Sequence, residues 1–325
     1  MIVIVILDRF SNWKAISHMG IKVIEFKHNL KRISSLGKTS LVLFFGFLVF
    51  GCSTETDSQK PMAVDSIEGI MSPESAAAMS DGRIFISEIG EFGKDGDGKI
   101  VQISIDGTKK IIADSGLNDP KGLVVIEEEI YVTDNNEVKK VSMDGNVVVW
   151  IPAGDFPKKP QFLNDIAKSG EIIYISDSGD LLNDKGGGRI FRVDSDKKVT
   201  VLVDKSNSKL IRSPNGLSTH QDGYLMFNDF GNGFLFKVNL TDNKVEKIGE
   251  GYGSADGLVM ADNNLYLSDW KNGKVFKLDL SKEGSSPVVI KEDMEGSADM
   301  DVTPDGKYLV IPEMKANRVV IHSLD

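Results

Sequence analysis

From residue 62 onward the chain repeats one short pattern six times, and that periodicity restricts its fold more than any other feature. Six β-rich runs end in an acidic residue: Phe85–Glu88, Tyr131–Asp134, Tyr174–Asp177, Met226–Asp229, Tyr266–Asp269 and Val310–Glu313. Each is followed by a turn and a second alternating run, beginning at Lys99, Glu137, Arg189, Gly233, Lys274 and Asn317. Alternation of β-branched and aromatic residues with polar ones is a strand signal, and Asp-Gly pairs such as Asp81-Gly82 and Asp305-Gly306 are hairpin turns. No stretch after residue 52 has helical periodicity. Aligning the segment just before each unit's first strand brings Glu74, Lys121, Asn164, Asn215, Asp256 and Asp299 into register, at spacings of 47, 43, 51, 41 and 43 residues. Six units of about four short strands predict an all-β chain, a six-bladed β-propeller over residues 62–325. The sixth unit has only three strands, so the segment 62–70 is expected to supply its outer strand and close the ring. Closure removes the exposed edge an open sheet would present.

A feature common to every blade is architectural. The acid ending each second strand is of that kind and is expected to bond turn backbone. The aligned position before the first strand differs: it is always polar but never uniform. In a propeller the inner strands converge there on the mouth of the central channel, so six such side chains would be aimed at one axial volume.

Composition narrows the chemistry available to that volume. The chain has a formal net charge of −10, with 38 basic and 48 acidic residues. Residues 1–51 carry seven basic and two acidic residues, or +5, which leaves −15 for the rest. A body that acidic does not suit binding to a phosphate backbone, so no nucleic-acid partner is expected. Cys52 is the single cysteine, which excludes a disulfide framework and a thiolate zinc site. Only His220 and His322 lie beyond the leader, so a metal held by the body would sit among oxygen ligands, as Ca²⁺ and Mg²⁺ prefer.

The leader has the plan of an export signal. Residues 27–38 (KHNLKRISSLGK) are basic, residues 39–51 (TSLVLFFGFLVFG) are apolar and too short to span a bilayer, and Cys52 follows at once. Val49-Phe50-Gly51-Cys52 resembles a bacterial lipobox, which implies cleavage before Cys52 and lipidation of its sulfur. Residues 1–51 are thus read as a lipoprotein-type signal peptide, with Met19 as an alternative start, and residues 52–61 as a polar tether. The expectation is an exported protein on the periplasmic or extracellular face, meeting membrane through its lipid anchor only. A plain signal peptide or N-terminal anchor with an incidental cysteine is the competing reading.

The motifs at the aligned positions carry a resemblance. Ser72-Pro-Glu74-Ser, Phe162-Leu-Asn164-Asp165, Ser213-Pro-Asn215-Gly-Leu and Ser254-Ala-Asp256-Gly-Leu are similar, in order and on four different blades, to the site motifs of the senescence-marker/gluconolactonase/luciferin-regenerating-enzyme family. The resemblance spans residues 62–325. It implies that Glu74, Asn215 and Asp256 hold one divalent cation, with Asn164 beside cation and substrate. Two carboxylates and two amides are hard ligands suited to Ca²⁺, with Mg²⁺, Mn²⁺ or Zn²⁺ as alternatives. It further implies hydrolysis of a lactone or related ester, a small-molecule substrate whose attacking water gives its proton to Asp256.

This sequence departs from the family pattern at three points. Phe162 stands where sugar-lactone members carry Arg, Ser75-Ala76 replaces Gly-Pro after the first-blade Glu, and Lys121 projects from blade two into the same volume. These changes point away from a sugar lactone. Lys121 would either hold a substrate carboxylate or let its charge stand in for a metal. Phe230 and Trp270, each following a strand-ending Asp, would line an apolar mouth or pack between blades. The glycine-rich segments 93–98 and 183–188 lack the ligands of a calcium loop and the helix of a phosphate loop, and are expected to overhang the mouth. A non-catalytic propeller that displays its mouth to a ligand or protein partner remains the alternative function.

Overall fold

The computed structural model describes residues 63–220, 223–282 and 284–324. Cys52, the basic and apolar leader segments and the tether lie outside them. The described residues form six four-stranded antiparallel sheets, each with its strands in sequence order from the axis outward, apart from the sheet that pairs the first described strand with the last. That is the expected six-bladed propeller. Apart from two single-turn 3₁₀ segments, Ala153–Asp155 and Met314–Ala316, no helix occurs among them.

Closure follows the sequence expectation. Ser66–Glu68 pairs antiparallel with Arg318–Ser323 as the outermost strand of blade six, in the register Ser66↔Val320, Ile67↔Val319 and Glu68↔Arg318. The clasp is reinforced where Gly69 and Ile70 donate to the Asn317 carbonyl and the Ser72 amide donates to Asn317 Oδ1 at 2.8 Å. At the axis the same junction is sealed by Asp299 N–H bonding to Glu74 O at 2.9 Å. The clasp strand runs toward the channel mouth, so the chain enters the ring from the opposite face, where Val64 N–H bonds to Ile105 O in a hairpin turn.

Six apolar cores lie between blades rather than within them. Between blades three and four, for example, Tyr174, Ile190 and Val203 meet Leu217, Phe227 and Phe236. Side chains alternate across each strand, so both faces of a central blade are buried against neighbours. Each fully buried aromatic or branched side chain contributes about 1.5–3 kcal/mol.

The acids that end the second strands are structural. Asp134 accepts from Asn118 and Asp119 N–H and pairs with Lys139 at 2.6 Å. Asp177, Asp229, Asp269 and Glu313 likewise accept from amides of the loop entering their own blade. Glu88 is held by Lys99 at 2.6 Å instead. None of the six lines the channel mouth.

One correction concerns the aligned axial position. The polar residue does not precede the first strand. In five blades it is the strand's second residue, as in Pro73–Ala78, Pro120–Ile126, Leu163–Ser169, Pro214–His220 and Ala255–Ala261. In each of the five the register with the second strand slips immediately afterwards, between Pro73/Ala76, Pro120/Leu123, Leu163/Ile166, Pro214/Leu217 and Ala255/Leu258. The axial residue and its successor therefore form a β-bulge, which re-aims a side chain out of the pleat. In blade six the innermost strand is only Asp301–Val302, and Asp299 precedes it.

Candidate functional site

The bulges explain the recurring glycine. Lys121-Gly122, Asn215-Gly216 and Asp256-Gly257 place glycine as the second bulge residue, hard against the next blade. A Cβ on Gly122 would lie 2.4 Å from Asp165 Cα, one on Gly216 would lie 2.4 Å from Asp256 O, and one on Gly257 would lie 2.6 Å from Asp299 Cα. Glycine here permits backbone-to-backbone contact around the axis. That closeness brings the preceding side chains together.

Five of the six aligned residues, Glu74, Lys121, Asn164, Asn215 and Asp256, line a single cavity of about 430 Å³ at the channel mouth. All five are buried. The sixth, Asp299, is not in the lining; its carboxylate accepts from Ser75 Oγ at 2.6 Å. The floor of the cavity is polar and its wall is apolar. Ile89 and Phe92 come from the blade-one loop, Phe162, Leu181 and Leu182 from blade three, and Phe230, Trp270 and Met314 from blades four to six. The loops that carry the glycine-rich segments thus reach the mouth through Ile89, Phe92, Leu181 and Leu182, while residues 93–98 and 183–188 themselves are not in the lining. Phe230 and Trp270 do both things expected of them, lining the cavity and lying 6.2 Å apart, ring to ring, across neighbouring blades.

The floor is electrostatically crowded. Burial pushes the Glu74 carboxyl well above its ordinary value, and the Asp256 charge adds to that while Lys121 opposes it. Burial also raises Asp256 to about 7, with Asp165 contributing and the Asn215 amide opposing. Asn215 Nδ2 donates to Asp256 Oδ1 at 3.0 Å, leaving the Asn215 carbonyl oxygen as its acceptor end. Asn164 Nδ2 donates to Ser178 Oγ at 3.2 Å. Glu74 Oε2 and Asn164 Oδ1 are buried with no hydrogen-bond partner among the described residues. Buried acceptors are normally satisfied, so two orphaned oxygens lining one cavity are a specific deficit. Oxygens of Glu74, Asn164, Asn215 and Asp256 make a donor set a hard divalent cation fits. No group of three or more His, Cys, Asp or Glu side chains suited to a metal occurs among the described residues; this donor set has two carboxylates and two amides.

Lys121 forms no ion pair with Glu74 or Asp256 among the described residues, although the Glu74 charge reaches it. Its Nζ donates to Asp119 O at 3.0 Å and lies 4.7 Å from the Phe162 ring centroid and 5.9 Å from that of Phe92. Burial lowers its pKa, with the charges of Glu74, Asp119 and Asp134 opposing.

Sequence reasoning missed a second acidic layer. Asp165 accepts from Ile166 N–H at 2.6 Å and Leu217 N–H at 2.5 Å, tying blade three to blade four. Asp301 accepts from Ala78 and Val302 N–H, both at 2.8 Å, tying blade six to blade one. Burial raises Asp165 to about 7 and Asp301 to about 6. The available signal was Asp165 standing where Gly122, Gly216 and Gly257 stand in other blades.

No family model matches this chain, and no curated protein does. Among solved structures it is similar to a β-propeller chain of a nidogen/laminin complex, with a TM-score of 0.55 and 19% identity over 67% of this chain and 80% of that one. At that identity the likeness concerns fold alone.

Proposed function

We propose that the protein is a divalent-cation-dependent hydrolase of lactones or related esters, a member of the senescence-marker/gluconolactonase/luciferin-regenerating-enzyme group. The observation that carries this reading is the pair of orphaned oxygens, Glu74 Oε2 and Asn164 Oδ1, on two residues that line the same cavity as Asp256. Glu74, Asn215 and Asp256 would hold the cation, with Asn164 beside it. When bound, a divalent cation, Ca²⁺ first among the candidates, polarises a carbonyl oxygen and offsets charge on it. Asp256 takes the proton of the attacking water. Burial raises Asp256 to about 7 in the metal-free site, and a bound cation would lower it, so that the carboxylate is ionised and available as the base near neutrality. Asn215 fixes that carboxylate through Oδ1. Phe92, Phe162, Phe230 and Trp270 exclude water and favour a substrate with an apolar body over a polyol.

The reading includes export as a lipoprotein through Cys52. Turnover across a lactone panel, measured with Ca²⁺, Mg²⁺, Mn²⁺ or Zn²⁺, tests the activity. Wild type should hydrolyse at least one member, and Asp256→Asn should abolish that turnover while leaving the metal-free melting temperature nearly unchanged. No hydrolysis by wild type with any of the four ions would leave the apolar cavity as a ligand-binding site.

A further inference from the structure

We infer that the substrates and ligands of this cavity are apolar-bodied carboxylates, selected by Lys121. The inference rests on the cavity being the substrate site and narrows its substrate class.

Lys121 is 3% exposed, yet its ammonium makes a single hydrogen bond, to the Asp119 carbonyl. An ammonium has three N–H donors. The other two have no acceptor among the described residues, and no carboxylate there forms a salt bridge with it. Two rings bound the ammonium, Phe162 and Phe92, and both belong to the cavity wall. Such rings hold a cation in place without consuming its donors. The result is a buried ammonium with spare donors, in a pocket that also carries Glu74 and Asp256 on its floor and Ile89, Leu181, Leu182 and Met314 on its wall; the proposed cation would offset the floor carboxylates when an anionic ligand enters.

A buried charge is costly unless something pairs with it. No carboxylate among the described residues lies within ion-pair distance of Lys121; the charges of Glu74, Asp119 and Asp134 act on it only from farther away. A ligand carboxylate would satisfy the free donors, while an apolar body would fill the aromatic wall. Lys121 lies between Glu74 and Asn164 in the axial order, so the ligand's anionic end would sit beside the proposed reacting centre.

Isothermal titration of the full chain, with and without Ca²⁺, tests this with phenylbutyrate and its uncharged isostere phenylbutanamide. Phenylbutyrate should bind wild type about tenfold to a hundredfold more tightly, the range expected for charge-assisted hydrogen bonds in a buried site. Lys121→Met should erase that preference by weakening phenylbutyrate far more than phenylbutanamide, and Lys121→Arg should retain part of it. Equal affinities in wild type, or a preference that survives in Lys121→Met, would overturn the inference. The wild-type comparison decides even where a variant fails to fold. Absence of binding by both ligands would overturn the cavity assignment as well, whereas loss of charge preference alone removes only the role of Lys121 and leaves the hydrolase reading to its own assay.

Discussion

Gly257 offers the sharpest test of the axial geometry. Its φ is ordinary, so alanine meets no backbone strain there, only a lack of space. An added Cβ would lie 2.6 Å from Asp299 Cα, 2.7 Å from Ala298 O and 2.9 Å from Met300 N. Carbon atoms in contact normally sit about 3.5–4.0 Å apart, so blades five and six must separate by roughly 1 Å. All three obstructing atoms are backbone and cannot rotate away. Overpacking costs about 1–3 kcal/mol, and a backbone obstacle places Gly257→Ala near the top of that range. For a ring of this size about 3 kcal/mol corresponds to a fall in Tm of roughly 6–12 °C. Gly154→Ala is the matched control, because that glycine is exposed with no heavy atom within 4 Å of its added Cβ. It should shift stability by no more than about 0.5 kcal/mol. Urea and thermal unfolding of both variants give the comparison. If Gly257→Ala unfolds with wild type and Gly154→Ala, blade-to-blade contact at the axis does not require glycine, and the account of how the floor residues are gathered is wrong.

Three further outcomes are expected. Saturating Ca²⁺ should raise the wild-type Tm by roughly 5–10 °C, from about 2.7 kcal/mol at a hundredfold excess over Kd, and should leave Glu74→Gln/Asp256→Asn unmoved; equal shifts in both would refute the cation site. Without divalent ions, stability should fall as pH rises from about 4 toward 7. Asp165 and Asp301 have folded pKa values of about 7 and about 6, above the unfolded value, so the native state binds the extra protons and loses that advantage on deprotonation. The slope is at most about 1.4 kcal/mol per pH unit for each group, and urea midpoints that stay flat or rise would contradict it. Asp134→Ala should cost about 3 kcal/mol in chemical denaturation, because it leaves the buried Lys139 ammonium with only Glu137 at 3.4 Å and the Gly116 carbonyl, and unpairs the Asn118 and Asp119 amides; a loss under about 1 kcal/mol would show the acid to be dispensable.

The architecture was legible because strand alternation and turn chemistry are local. Tyr266–Asp269 and the run from Lys274 announce a hairpin without reference to the rest of the chain. Even the closing strand could be read, since the last unit lacked a partner that 62–70 alone could supply. The identities of the floor residues were legible for a different reason: repetition made Glu74, Lys121, Asn164, Asn215 and Asp256 comparable. Their setting was not. A bulge leaves no mark in composition, so the polar residue looked like a loop residue ahead of its strand. Gly216 and Gly257 resembled turn glycines, although the space they preserve is set by a neighbouring blade some forty residues away. Asp165 and Asp301 escaped notice because their partners, Leu217 N–H and Ala78 N–H, are defined only once the ring closes.

The described chain begins beside Val64, on the side of the ring away from the cavity. Residue 63 and the cavity are thereby separated by the full height of a blade, about 20 Å for a six-residue strand. A group joined directly at residue 63 would meet the ring on the face away from its aperture.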